Sequence, residues 1–378
     1  MPEQISWEDI NMSSNKLLSP AYKSQGRVFT SGVTGVDSQG VMPDDVVEQT
    51  ELCCANMKKV LEASDSSMDK VLKVLLFIKR REDGPAVNRI YEKHFGTRPG
   101  RSCIIVDFPN QKMLVEFEVV ATADSLTKVS WDDIQSSGST FLSPAFKSNG
   151  ILHTSGQTGD RDGSMPDDIE QQTENAILNV KNVLESSGSS LGRSLKVLLF
   201  ISDSSYGPIV NKIYEKYFTN RPGRSCVIVN FPNPKILVEL EVIAEYGEQT
   251  AKMTTWEDIK SSGNSLLSPA YTSNGIVFTS GQLGTASNGL SDDVAEQTEN
   301  SIKNVITVLE ASGSNIDKVL KVLLFIKRGE DAAIINKVYE QYFTTKPARS
   351  CIIVDFPNPK VAVEIEVIAE TGNVTTKL

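Results

Sequence analysis

Pro99-Gly-Arg101-Ser-Cys103-Ile-Ile-Val-Asp-Phe-Pro-Asn-Gln-Lys-Met-Leu-Val-Glu116-Phe-Glu118-Val119 is a pattern that occurs three times in the chain. Arg224 and Arg349 open the same Ser-Cys-aliphatic run as Arg101, and Glu239 and Glu364 follow their arginines by the same fifteen positions as Glu116. Trp7, Trp131 and Trp256 stand at the head of the three copies, about 125 residues apart. Such a period is too long for a stacking repeat and long enough for a domain. The reading is therefore three modules, 1–125, 126–251 and 252–378.

An arginine at the mouth of one strand and a glutamate inside the next come together if the two strands are sheet neighbours. That would set a carboxylate clamp beside a water activator. The alternative is an arginine paired with a surface acid, a contact of little energetic weight, and a glutamate on a solvated face.

Composition narrows the partners. The formal charge of −10, with 48 Asp and Glu against 38 Lys and Arg, disfavours binding that depends on neutralising phosphates, so no nucleic-acid partner is expected. The five cysteines form no Cys-x-x-Cys pair and three of them fall one per module, which points away from disulfides and zinc. No apolar run approaches the 18 or more residues of a membrane span, and residues 1–10 lack a signal-peptide pattern. A reducing, cytoplasmic location is expected, with a mitochondrial one left open. Thr376-Lys377-Leu378 is a loose form of the Ser-Lys-Leu peroxisomal address.

Within module 1, Arg27 to Gly32 reads as a strand closed by glycine, after punctuation at Ser19-Pro20-Ala21 and Gln25-Gly26. Asp44-Asp45 caps a helix running to about Ala63, with Val46, Cys53, Cys54, Met57, Val60 and Leu61 as its apolar stripe. Cys54 is matched by Ile177 and Ile302 and reads as core. Val71 to Ile78 is a strand buried on both faces. A second helix carries Val87, Ile90, Tyr91 and Phe95, with Asn88, Asn211 and Asn336 beside the stripe as ligand contacts or surface amides. Strands at 104–108 and 113–121 close the module across Pro109-Asn110, read as a hairpin turn. On the last strand Leu114, Glu116, Glu118 and Val120 share one face, with Glu118 the more structural of the two acids. Thr122 to Val129 and Glu245 to Thr254 read as short tethers.

The histidines, His94 and His153, do not recur; Tyr217 and Tyr342 stand at the first position and Val277 at the second. A shared histidine triad or metal site is thereby excluded, and no glycine-rich loop offers a nucleotide cradle, so neither metal nor cofactor is expected. What recurs is arginine, glutamate, cysteine, asparagine and a glycine-ended strand. A guanidinium can grip a carboxylate in bidentate fashion, and a glutamate can deprotonate water for attack on an electrophilic carbon such as an imine.

Ser155-Gly156-Gln157, Ser280-Gly281-Gln282, the Val-Asn-x-x-Tyr of Val87 to Tyr91, and Pro347-Ala-Arg-Ser-Cys351 with Glu364 beyond it resemble the reactive intermediate deaminase (RidA, or YjgF) family over nearly the whole chain. The resemblance implies an α+β fold: three chorismate-mutase-like modules, each a mixed sheet with two helices, forming a pseudo-trimeric ring from one monomeric chain. It further implies hydrolysis of 2-imino and 2-enamino acids at pockets between modules. Arg101, Arg224 and Arg349 would bind the substrate carboxylate and Glu116, Glu239 and Glu364 the water. Cys103, Cys226 and Cys351 would offer mainly backbone groups and would not be nucleophiles. Gly32, Gly156 and Gly281 with the three asparagines would form the wall. Leu18, Leu142 and Leu267 depart from a common aromatic, Gly100 and Gly223 from a common alanine. Val33 replaces glutamine, which marks the first module's pocket, that of Arg101, as the impaired one. A non-catalytic carboxylate binder or a ribonuclease-type translation inhibitor are the alternative functions.

Overall fold

The computed structural model describes residues 2–161 and 163–372; the terminal Thr376-Lys377-Leu378 lies outside them. Module 1 comprises β1 (Glu3–Ile5), β2 (Ala21–Ser24), β3 (Arg27–Thr30), β4 (Val33–Thr34), α1 (Val46–Ala63), β5 (Val71–Ile78), α2 (Gly84–His94), β6 (Gly100–Ile105) and β7 (Val115–Thr122). The sheet order is β1-β2-β3-β7-β5-β6, with β4 also on β7; only β5 and β6 run parallel. The other two modules repeat this order, and no helix among the described residues is long and apolar enough to cross a membrane.

Local chemistry sets the elements. Asp45 accepts the Glu48 amide at the start of α1, as Asp168 and Asp293 do for Gln171 and Glu296, satisfying a free helix-end donor. Every residue of β5 is buried, because the strand pairs on both edges and is covered on both faces. One face, with Val74 and Leu76, meets Cys53, Cys54, Met57 and Tyr91 of the helices. The other, with Leu75 and Phe77, meets Leu198, Phe200, Leu323 and Phe325 of the other two modules in one central core.

Three expectations need correction. Arg101 and Glu116 are not on neighbouring strands: β5 lies between β6 and β7, since the α2 crossover delivers β6 parallel to the outer side of β5. Pro109-Asn110 is therefore no hairpin turn but part of a connection that passes β5. The tethers are shorter than read, because Thr127–Val129 and Lys252–Thr254 already pair with the next hairpin. The strand Ala21–Ser24 was also not read from the sequence.

The ring closes through main-chain bonds on the otherwise bare edge of β6 and its counterparts. Ile105 N–H donates to Asn230 O at 2.8 Å, Ile228 N–H to Asp355 O at 2.8 Å and Ile353 N–H to Asp107 O at 2.9 Å, so module 3 returns to module 1.

Candidate active site

Each arginine is fixed from two sides. Arg101 Nη1 donates to Asn88 Oδ1 at 2.9 Å, and its guanidinium lies 4.7 Å from the Tyr91 ring centre. Arg224 has the same hold from Asn211 and Tyr214, and Arg349 from Asn336 and Tyr339. Asparagine and tyrosine are three residues apart on one helix, hence on one face. The asparagines thus orient the arginine rather than standing as surface amides. The tyrosines, read from the sequence as core, belong to the site as well.

The partner of each arginine comes from the next module. Arg101 N–H donates to Ser155 Oγ at 2.9 Å, and Gly156 N–H donates to Arg101 O at 3.1 Å. Arg224 meets Ser280 and Gly281 in the same way, and Arg349 meets Ser31 and Gly32. The glycine is required: a Cβ on Gly156 would overlap the Glu239 carboxylate, on Gly281 that of Glu364, and on Gly32 that of Glu116. The groups brought together across module boundaries, here called the three pockets, are therefore Arg101 with Glu239, Arg224 with Glu364, and Arg349 with Glu116. The expectation that Arg and Glu of one module share a pocket is wrong, for the topological reason given above.

Electrostatics single out the same groups. Burial, and then the neighbouring Glu118, pushes Glu116 up to about 8. Burial takes Glu239 to about 7, against the opposing effect of Lys73, and takes Glu364 to about 7 with Glu366 adding to it. The thiols of Cys103, Cys226 and Cys351 are pushed up to about 11 by desolvation, which disfavours a thiolate despite the arginine two residues away. The Nε of Arg101, Arg224 and Arg349 and the Oε1 of Glu116 and Glu239 are buried without a protein partner. Buried polar atoms are nearly always satisfied, so these donors and acceptors lack the partner that such groups ordinarily have.

The three pockets differ. Val33 adjoins Gly32 and so borders the Arg349 pocket, not that of Arg101; the valine packs into its own module's core. At its place Gln157 Nε2 donates to Ser155 O at 3.2 Å and Gln282 Nε2 to Ser280 O at 3.1 Å, bonds the Ser31-Gly32 turn does without. Leu18, Leu142 and Leu267 present backbone carbonyls to the indoles of Trp7, Trp131 and Trp256. One residue earlier, Phe141 stacks 5.6 Å from the Arg101 guanidinium, while Leu17 and Leu266 hold the corresponding positions. An aromatic is thus present, displaced by one residue, in a single pocket.

Three units of mixed sheet and two helices, joined in a ring, make this a chorismate-mutase-like protein of the YjgF type. The chain belongs to the family described as Endoribonuclease L-PSP, the RidA/YjgF family, whose sequence profile matches residues 11–123, 136–246 and 262–371. One module's length is 42% identical to Protein HMF1 of Saccharomyces cerevisiae over 109 residues, 27% of this chain and 81% of that protein. A 2-iminobutanoate/2-iminopropanoate deaminase of Salmonella typhimurium is 37% identical over 100 residues, 25% of this chain and 78% of its own. At the level of fold, a crystal structure of a chorismatase superposes over 80% of this chain and 93% of its own with a TM-score of 0.53 and 12% identity.

Proposed function

We propose that the chain hydrolyses reactive 2-imino and 2-enamino acids to 2-oxo acids and ammonia in its three inter-module pockets. The observation that carries this reading is the threefold recurrence of a stacked arginine with an unpartnered Nε, its carbonyl bonded to a glycine of the next module against which that module's buried glutamate is packed. The guanidinium takes the substrate carboxylate. A glutamate titrating near neutrality is suited to accept a proton and return it.

In the Arg101 pocket, Glu239 takes a proton from water while the water oxygen bonds to C2 of the imine and the C=N π pair moves to nitrogen, to which the glutamic acid passes that proton, leaving Glu239 ionised again. The resulting carbinolamine collapses: Glu239 takes the proton of the C2 hydroxyl as C=O forms, and the glutamic acid gives it to nitrogen as the C–N bond breaks and ammonia departs. An enamine enters after protonation at C3. A deaminase at 37% identity to one module supports the same chemistry.

The test is kcat/KM on enzymatically generated 2-iminobutanoate for Arg101→Ala/Arg224→Ala/Arg349→Ala, with folding followed by circular dichroism. Hydrogen bonds to charged groups contribute about 1.5–3 kcal/mol. The expected loss is therefore about ten- to more than a hundredfold. A folded triple variant with wild-type activity would remove the arginines as the clamp. Glu116→Gln/Glu239→Gln/Glu364→Gln should abolish turnover yet still bind a 2-oxo acid; retained turnover would exclude the glutamates as the base.

A further inference from the structure

Behind the pockets the chain buries a second set of charges. Lys73 Nζ lies 2.6 Å from Glu241 Oε2, Lys196 Nζ 2.7 Å from Glu366 Oε2, and Lys321 pairs with Glu118. Each pair crosses a module boundary, so the three close a ring around a central cavity of about 40 Å³ lined by all three modules. Buried ion pairs are poor stabilisers, because desolvation offsets the attraction. Their other contacts show a different use.

Lys73 Nζ also donates to Ser102 Oγ at 2.9 Å and Thr154 O at 3.1 Å; Lys196 Nζ donates to Ser225 Oγ at 3.1 Å and Thr279 O at 2.7 Å. These serines are the middle residues of the Arg-Ser-Cys runs. A Cβ on Gly156 would meet both the Glu239 carboxylate and Ser102 Oγ, and on Gly281 both that of Glu364 and Ser225 Oγ, so serine and glutamate share one spot. Each pocket glutamate also precedes a ring glutamate by two residues on the same strand face, as Glu116 does Glu118, Glu239 does Glu241 and Glu364 does Glu366.

We propose that Lys73 with Ser102 and Lys196 with Ser225 are positioning residues that orient Glu239 and Glu364 and keep them charged from the side opposite the substrate. This rests on the reading of those glutamates as the water-activating base. The groups that face Glu239 are Glu241 on its own strand and Lys73, Arg101 and Cys103 from module 1. Glu364 faces Glu366, Lys196, Arg224 and Cys226. Glu116 faces Glu118, Arg349, Cys351 and, from α1, Cys53. Lys73 and Lys196 oppose burial at the first two sites, whereas Glu116, without such help from a lysine, is pushed highest.

The experiment isolates one pocket. In an Arg224→Ala/Arg349→Ala background, Glu239 is titrated by carboxyl carbon NMR, its signal assigned by loss in Glu239→Gln. Variants are Lys73→Met, Ser102→Ala, and Lys73→Met/Glu241→Gln, which leaves no lone buried charge if the single variant fails to fold. Loss of an opposing charge within reach should move the Glu239 midpoint upward by about one unit or more in Lys73→Met. It should move upward, by less, in the other two, and the acid limb of kcat/KM should follow. An unmoved midpoint in folded Ser102→Ala and Lys73→Met/Glu241→Gln would overturn the proposal. A moved midpoint in a protein whose wild type hydrolyses no imine would instead support the ring's hold on Glu239 and defeat the hydrolytic reading.

Discussion

His153 breaks the threefold pattern more sharply than any pocket residue. Strand register places it opposite Phe146 and Ile243, where Phe29 faces Tyr22 and Val120, and Phe278 faces Tyr271 and Ile368. Its equivalents are these two phenylalanines, not Val277. The imidazole is 2% exposed and its Nε2 has no partner. Burial, with Arg27, Lys73 and Lys321 nearby, holds it down to about 3. The sign follows directly: between about 3 and the unfolded value of about 6.5 only the unfolded chain binds this proton, so stability falls as pH drops through that window. The contribution lost by pH 5 is about 2 kcal/mol. His153→Phe should therefore gain stability relative to wild type on going from pH 7.5 to pH 5, read as urea midpoints at the two values. Equal differences between the two proteins at both pH values would show that His153 does not titrate this way. At the same scale, Glu116, Glu239 and Glu364 were legible as functional because they recur with arginine at fixed spacing. Ser102 and Tyr91 recur as strictly, but a serine in a strand and a tyrosine in an apolar stripe have adequate structural explanations until their partners are seen.

Elements were readable where burial and local propensity agree. The span of α1 follows from Asp45 and its stripe, and β5 from its unbroken aliphatic run. The hairpin of β2 and β3 was not read, although its signal was present: Asn149-Gly150 and Asn274-Gly275 occupy the turn in the other modules, with φ of 49° and 77°, and 50° and 76°. Two consecutive left-handed residues match the twist of a tight hairpin, which is why Asn-Gly marks one. The turn also packs against its neighbours, since Asn274 Nδ2 donates to Asn149 O at 2.8 Å. Gly150→Ala forces a Cβ into the left-handed region and toward the Asn274 side chain. The expected cost is about 1 kcal/mol or somewhat more, measured as a lowered urea midpoint with unchanged slope; an unchanged midpoint would mean that the turn relaxes freely. The order of β6 and β7 was beyond local reading. Nothing in either strand's sequence states that β5 lies between them, because that depends on the handed crossover through α2.

At the scale of the whole molecule, covalent linkage replaces symmetry. Each module leaves the β6-type edge open and presents the Ser-Gly turn that covers another module's edge, so no module holds a complete pocket. The repeat made three equivalent sites legible in the sequence, but which arginine works with which glutamate is a property of assembly. The pairing has a kinetic consequence. Arg101→Ala and Glu239→Gln strike one pocket, so the double variant should retain about the activity of the more damaged single, that of the two untouched pockets. Arg101→Ala with Glu116→Gln strikes two pockets and should retain only what the Arg224 and Glu364 pocket supplies, about a third if the pockets contribute equally. Val33 and Phe141 make the three pockets unequal, yet the ordering does not depend on equal shares: same-pocket losses coincide, and different-pocket losses add. The measurement is initial rate at subsaturating 2-iminobutanoate for the two doubles and their four singles, all checked for folding. If Arg101→Ala/Glu116→Gln behaved as one lesion and Arg101→Ala/Glu239→Gln as two, each pocket would draw both residues from one module, and the cross-module sites described above would not be the ones that turn over substrate.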